Sequence, residues 1–102
     1  MKKKKIDLVP FFDALAHPIR LRIIKALLHK EKFISELAKE LQISRPLLYM
    51  HLNKLERVGI VTTYIKHFDK PPYARKYIKA NILLVKLLLP ELELEIVERS
   101  SG

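Results

Sequence analysis

The chain has 102 residues, with 20 Lys and Arg against 11 Asp and Glu and a net charge of +9. That length makes one small domain, whose limited core a second subunit would help to stabilise. The lack of cysteine excludes a disulfide framework, thiol catalysis and thiolate-bound zinc. A hydrophobic share of 49% excludes a disordered chain.

The charge is unevenly spread. Lys2 to Lys5 form a basic tail, residues 43–80 carry a net +6, and residues 81–102 a net −2. A basic surface of this kind suits a polyanion, nucleic acid before membrane. "MKKKKIDLVPFF" lacks an apolar stretch long enough for a secretory signal, and "ILLVKLLL" is too short to span a bilayer. A cytoplasmic protein is expected.

In chain order, "IDLVPFFDALA" reads as a first helix with Asp7 as cap and Pro10 in its first turn. "HPIRLRIIKALLHKEK" reads as a second, opened by Pro18 and striped by Ile19, Ile23, Ile24, Leu27 and Leu28. Ser35 is the expected N-cap of a short third helix with Leu37, Ala38 and Leu41 on its apolar face. Ser44 is the N-cap of a fourth, with Pro46 in its first turn, Leu48, Leu52, Leu55 and Val58 as its stripe, and Gly59 as a left-handed end. Two helices joined by so short a turn make a helix-turn-helix unit.

The period then changes. "IVTTYIKH" and "RKYIKA" are rich in β-branched and aromatic residues, and "FDKPPYA" between them is a turn whose prolines cannot lie inside a sheet. "ANILLVKLLL" reads as a helix that is apolar almost all round, ended or kinked by Pro90. "ELELEIVE" fits either a terminal strand or a short amphipathic helix. The fold class is mainly α with a small β-hairpin, the winged helix-turn-helix plan. Its parts are a tail (1–5), a binding domain (6–80) and a dimerisation segment (81–102).

Two motifs, "ALAHPIRLRIIKALL" and "ISELAKELQISRPLLYMHLNKLERVGIV", followed by a basic hairpin, resemble the ArsR-type (arsenical-repressor-like) winged-helix transcription regulators over about residues 8–80. The resemblance implies a homodimer on double-stranded DNA, with recognition helices in successive major grooves, wings on the flanking backbone, and terminal segments at the two-fold axis. It departs from the family's metal sensors. "FISELA" lacks their cysteine motif and residues 81–102 contain no histidine, so no metal or other cofactor is expected. A second departure is Gln42, where the turn often has Gly.

Recognition calls for donors and acceptors at the N-terminal end of a helix that can enter the major groove, the only groove that distinguishes all four base pairs. Arg45 stands there, although a cation at a helix N-terminus is mildly unfavourable; its fork suits a guanine edge or a phosphate. The recognition-helix candidates are Ser44, Arg45, Pro46, Leu47, Tyr49, Met50, Asn53 and Lys54, the last two placed for phosphate. His51 adjoins the core stripe and is expected to be half-buried rather than a reader. The wing candidates are Tyr64, Lys66, His67, Lys70, Arg75 and Lys76. Phe11, Phe12, Leu15, Leu83, Leu84, Leu87 and Leu88 are the expected dimer contacts.

No catalytic constellation is visible: the four histidines are scattered, and the two glycines make no phosphate loop, so an enzyme is not expected. The expected function is a sequence-specific DNA-binding regulator acting as a dimeric repressor. The alternatives are a winged helix used for protein interaction and a nucleic-acid binder without sequence preference.

Overall fold

The computed structural model describes residues 7–90. The order is α1 (Val9–Leu15), α2 (Pro18–Leu27), β1 (Lys32–Phe33), α3 (Ile34–Leu41), α4 (Arg45–Arg57), β2 (Val61–His67), β3 (Ala74–Ala80) and α5 (Ile82–Leu88). The Lys2–Lys5 tail and "ELELEIVE" lie outside the described residues.

Helix starts follow local chemistry. Asp7 Oδ1 accepts from the Val9 N–H at 3.0 Å ahead of α1. His17 caps α2, its Nδ1 accepting from the Ile19 N–H at 3.1 Å. Ser44 Oγ accepts from the Leu47 N–H at 3.3 Å, so the expected cap of α4 is present. Asn81 Oδ1 serves α5 in the same way through the Leu84 N–H at 3.2 Å. The expected cap of α3 is corrected. That helix begins at Ile34 after Phe33, and Ser35 lies within its first turn. Phe33 is held as the last residue of β1, and its N–H is met by Glu36 Oε1 at 3.4 Å.

Both helices of the helix-turn-helix end in the same hydrogen-bond pattern. After α4, Ile60 N–H donates to the Leu55 carbonyl and Gly59 N–H to the Glu56 carbonyl, with Gly59 at φ +78°. After α3, Ile43 N–H donates to the Ala38 carbonyl and Gln42 N–H to the Lys39 carbonyl, with Gln42 at φ +56°. Each is a Schellman end, which requires one left-handed residue. Gly59 adopts it without strain, whereas the side chain of Gln42 disfavours it by about 1 kcal/mol. Gln42→Gly is therefore expected to raise the thermal midpoint by about 4–8 °C. A midpoint that stays or falls would show that the turn tolerates glutamine without strain.

The core has α2 at its centre. Ile23, Ile24 and Leu27 meet Leu37 and Leu41 of α3, Leu48, Leu52 and Leu55 of α4, and Ile78 of β3, every one of them at most 5% exposed. Burying each such side chain contributes about 1.5–3 kcal/mol. Val58, expected in this stripe, is only partly buried at the end of α4.

Sequence reasoning expected two strands; the sheet has three, antiparallel in the order β1-β3-β2. Lys32 pairs with Ile78 and Phe33 with Tyr77 on one side of β3, while β2 pairs along the other from Val61–Ala80 to His67–Ala74. Paired residues share a face. Val61, Thr63, Ile78 and Ala80 therefore look toward the helices, and Tyr64, Lys66, Arg75 and Tyr77 stand on the other face. The segment after the hairpin is helical over Ile82–Leu88, with Val85 fully buried.

Candidate nucleic-acid interface

The exposed side of α4 follows from its amphipathic spacing. With Leu48, Leu52 and Leu55 inward, Arg45, Pro46, Met50, Asn53 and Lys54 are exposed, and Leu47 and Tyr49 are partly buried. Met50 is 51% exposed. A cleft runs between the start of this helix and the wing, lined by Ser35, Arg45, Tyr49, Pro72, Arg75 and Lys76, with Phe33 and Ile34 beneath. Lys76 Nζ lies 5.0 Å from the Tyr49 ring centroid, tying wing to helix by a cation–π contact. Arg75 stacks its guanidinium over the Phe33 ring at 4.2 Å. Thr63 Oγ1 of β2 donates to Glu56 Oε1 of α4 at 2.9 Å, a second tie at the base of the wing.

The structure divides the wing candidates. Arg75 and Lys76 reach the cleft with Arg45 and Tyr49. His67 and Lys70 are exposed toward the tip, where Tyr73 is 63% exposed. Tyr64 and Lys66 are engaged on the outer face by Glu31, a residue the sequence did not single out. Lys66 Nζ is 2.6 Å from Glu31 Oε1 and 4.2 Å from the Tyr77 ring centroid, and the Tyr64 hydroxyl donates to Glu31 Oε2. These bonds, from Lys66 first and Tyr64 second, hold the Glu31 carboxyl below its usual range. The same carboxylate raises Lys66 and Tyr64. The charge of Lys66 is thus locally compensated, and that of Lys76 is offered to the cleft.

His51 is 4% exposed, fully inside rather than half-buried, and its Nδ1 lies 3.1 Å from Arg20 Nη1. Ser35 is the residue of the cleft that sequence reasoning assigned another role. The one usable signal was its place on the helix before the recognition helix. Among the expected dimer residues, Leu15 is 5% exposed and packs into its own core, which leaves a partner little to touch. Phe11, Leu84 and Leu88 are partly buried against that core. Phe12, Leu83 and Leu87 remain 50%, 83% and 78% exposed.

Five helices among the described residues, two of them a capped helix-turn-helix, and a basic antiparallel hairpin folded back on it define a winged helix-turn-helix protein. Residues 17–63 match the family model of bacterial regulatory proteins, arsR family. An uncharacterised HTH-type transcriptional regulator from Methanocaldococcus jannaschii is 50% identical over 58 residues, 57% of this chain and 61% of that protein. The solved structure of the transcriptional regulator HlyU from Vibrio vulnificus is 34% identical, covering 78% of this chain and 81% of that one with a TM-score of 0.58. That of a transcriptional regulator homologue from Pyrococcus horikoshii is 28% identical, covering 84% and 87% with a TM-score of 0.67. The chain belongs to the ArsR family. Among the described residues no helix is long and apolar enough to cross a membrane, and no three His, Cys, Asp or Glu side chains converge as metal ligands.

Proposed function

We propose that this chain is a cytoplasmic, sequence-specific regulator that binds double-stranded DNA as a homodimer and represses by covering its operator. The observation that carries the reading is the cleft in which Arg45 and Tyr49 of α4 meet Arg75 and Lys76 of the wing. A groove lined on both walls by cations fits a phosphate backbone, and the exposed start of α4 beside it is free to enter the major groove. Arg45 is the base reader, with Leu47, Tyr49 and Met50 completing the contact. Ser44, Asn53, Lys54 and the wing residues Arg75, Lys76, His67 and Lys70 serve phosphates. Residues 6–80 form the binding domain, and α5, with Leu83 and Leu87 exposed, meets a second copy together with Phe12 of α1. The relatives named as transcriptional regulators support the assignment.

Selection of bound duplexes from a random pool tests it, with enrichment of a two-fold-related site expected. On that site Arg45→Ala is expected to cost about 1–3 kcal/mol and relax the base preference at one position of each half. Equal losses on selected and random duplexes would make Arg45 a phosphate contact. A pool that yields no enriched sequence would favour a protein-interaction module instead.

A further inference from the structure

A buried cation lies beneath the recognition helix, and its described partners are all uncharged. Arg20 of α2, 6% exposed, donates from Nε to the Ala14 carbonyl at 2.5 Å and from Nη2 to the Asp13 carbonyl at 3.4 Å. Both carbonyls belong to the last turns of α1. Its Nη1 reaches His51 Nδ1 of α4 at 3.1 Å. A guanidinium has donors only, so His51 Nδ1 must accept and the neutral ring carries its proton on Nε2. His17 is fixed in the same tautomer by the Ile19 N–H, and the two imidazole centroids are 4.5 Å apart. One guanidinium therefore joins α1, α2 and α4 through contacts that need His51 uncharged.

We propose that Arg20 and His51 form an acid-sensitive latch that holds the end of α1 against the recognition helix and opens when His51 takes a proton. A protonated Nδ1 would set a donor against the Arg20 donor and a second positive charge beside the first. Arg20 would then leave the Asp13 and Ala14 carbonyls, and α1 would lose its tie to α4. The surroundings give the proton no compensation. α2 presents Arg20 and its cap His17, α4 presents Lys54, and α1 presents backbone carbonyls. Asp13 is exposed and lines an outer groove with Lys54 and Arg57. Burial first, then His17, Arg20 and Lys54, lower the His51 pKa below its usual 6.5. A depressed histidine contributes stability that is complete above its unfolded pKa and lost as the pH falls through the folded value. The latch is closed at neutral pH and opens below 6.5. Because α1 carries Phe12, acid would also weaken the pairing of copies and their hold on DNA; that consequence alone rests on the function proposed above.

Amide exchange followed by NMR on the full chain at pH 7.5 and pH 5.0, corrected for the intrinsic rate at each pH, tests the latch. Protection in α1 is expected to fall at least tenfold at pH 5.0 while β2 and β3 keep theirs. In His51→Asn, whose Oδ1 can accept from Arg20 but does not titrate, α1 protection should be unchanged by pH. Unaltered α1 protection in the wild-type chain, an equal loss across β2 and β3, or the same acid loss in His51→Asn would each overturn the proposal. Should that variant not fold, the ring-proton titration of His51 in the wild-type chain decides. A midpoint below 6.5 that coincides with the loss at α1 supports the latch, and any other midpoint sinks it. None of these readouts uses DNA, so a chain that binds no duplex would refute the proposed function and leave this test intact.

Discussion

Arg20→Met is expected to lower stability by about 3 kcal/mol, seen as a drop in the denaturant midpoint with little change in slope. Methionine matches the arginine stem in length and would pack against the same apolar neighbours, so the loss comes from hydrogen bonding. Two buried acceptors would lose their donor, the Ala14 carbonyl and Nδ1 of His51, while the part-buried Asp13 carbonyl keeps the Ala16 N–H. Each such orphan costs about 1–3 kcal/mol. Relief from burying the guanidinium offsets part of the sum. The freed His51 would also lose a neighbouring positive charge that now depresses it. Its pKa should move back toward 6.5, and the acid sensitivity of the fold should shrink. A variant as stable as the parent would show that water serves these acceptors as well as arginine does.

Leu83→Asp with Leu87→Asp is expected to convert the proposed dimer to monomers without unfolding the chain. Both leucines lie on the outer face of α5, 83% and 78% exposed, one turn apart. Changing them removes nothing from the core, which α5 reaches through the fully buried Val85. Burial of two leucines from each of two copies would contribute about 6–12 kcal/mol before the entropy of association. The dissociation constant should therefore rise by at least about a thousandfold, read by sedimentation equilibrium. Affinity for a two-fold site should fall with it, because each half-site would then be held singly. A dimer that survives both changes would move the interface away from α5.

The parts of the fold visible in the sequence are those set by local chemistry. The stripe Leu48, Leu52, Leu55 placed α4, and Ser44 and Gly59 marked its ends, because capping and helical periodicity act within a few residues. Gln42 stood out only as a departure from the glycine of the resembled family; its left-handed backbone is a finding of the structure. What escaped depended on distant partners. β1 is two residues long and exists only because Lys32 and Phe33 find β3. That pairing makes Phe33 the end of a strand, so α3 starts earlier than Ser35 would suggest.

The candidate site was legible in outline only. Arg45 and Tyr49 stood out by position in the helix, whereas the separation of Lys66 from Lys76 depends on strand register and on Glu31, far away in the chain. Arg20 was not singled out in the sequence; nothing near it there reveals the carbonyls and imidazole that enclose it. Leu15 looked like its neighbour Phe12. The turn of α1 against α2 and α4 decides which of the two faces outward.

The strand order β1-β3-β2 also bears on how the chain assembles. β2 and β3 are neighbours in sequence, joined only by Phe68 to Tyr73, so their pairing closes a short loop and can form within microseconds on its own. β1 must instead wait for Lys32 to meet Ile78 across α3, α4 and β2. Closing so long a loop for two residue pairs returns little for the entropy lost, unless α2, α3 and α4 have already gathered around Ile23 and Leu52. β1 is thus the late stitch of folding, and substitutions at Lys32 or Phe33 should speed unfolding rather than slow the forward reaction.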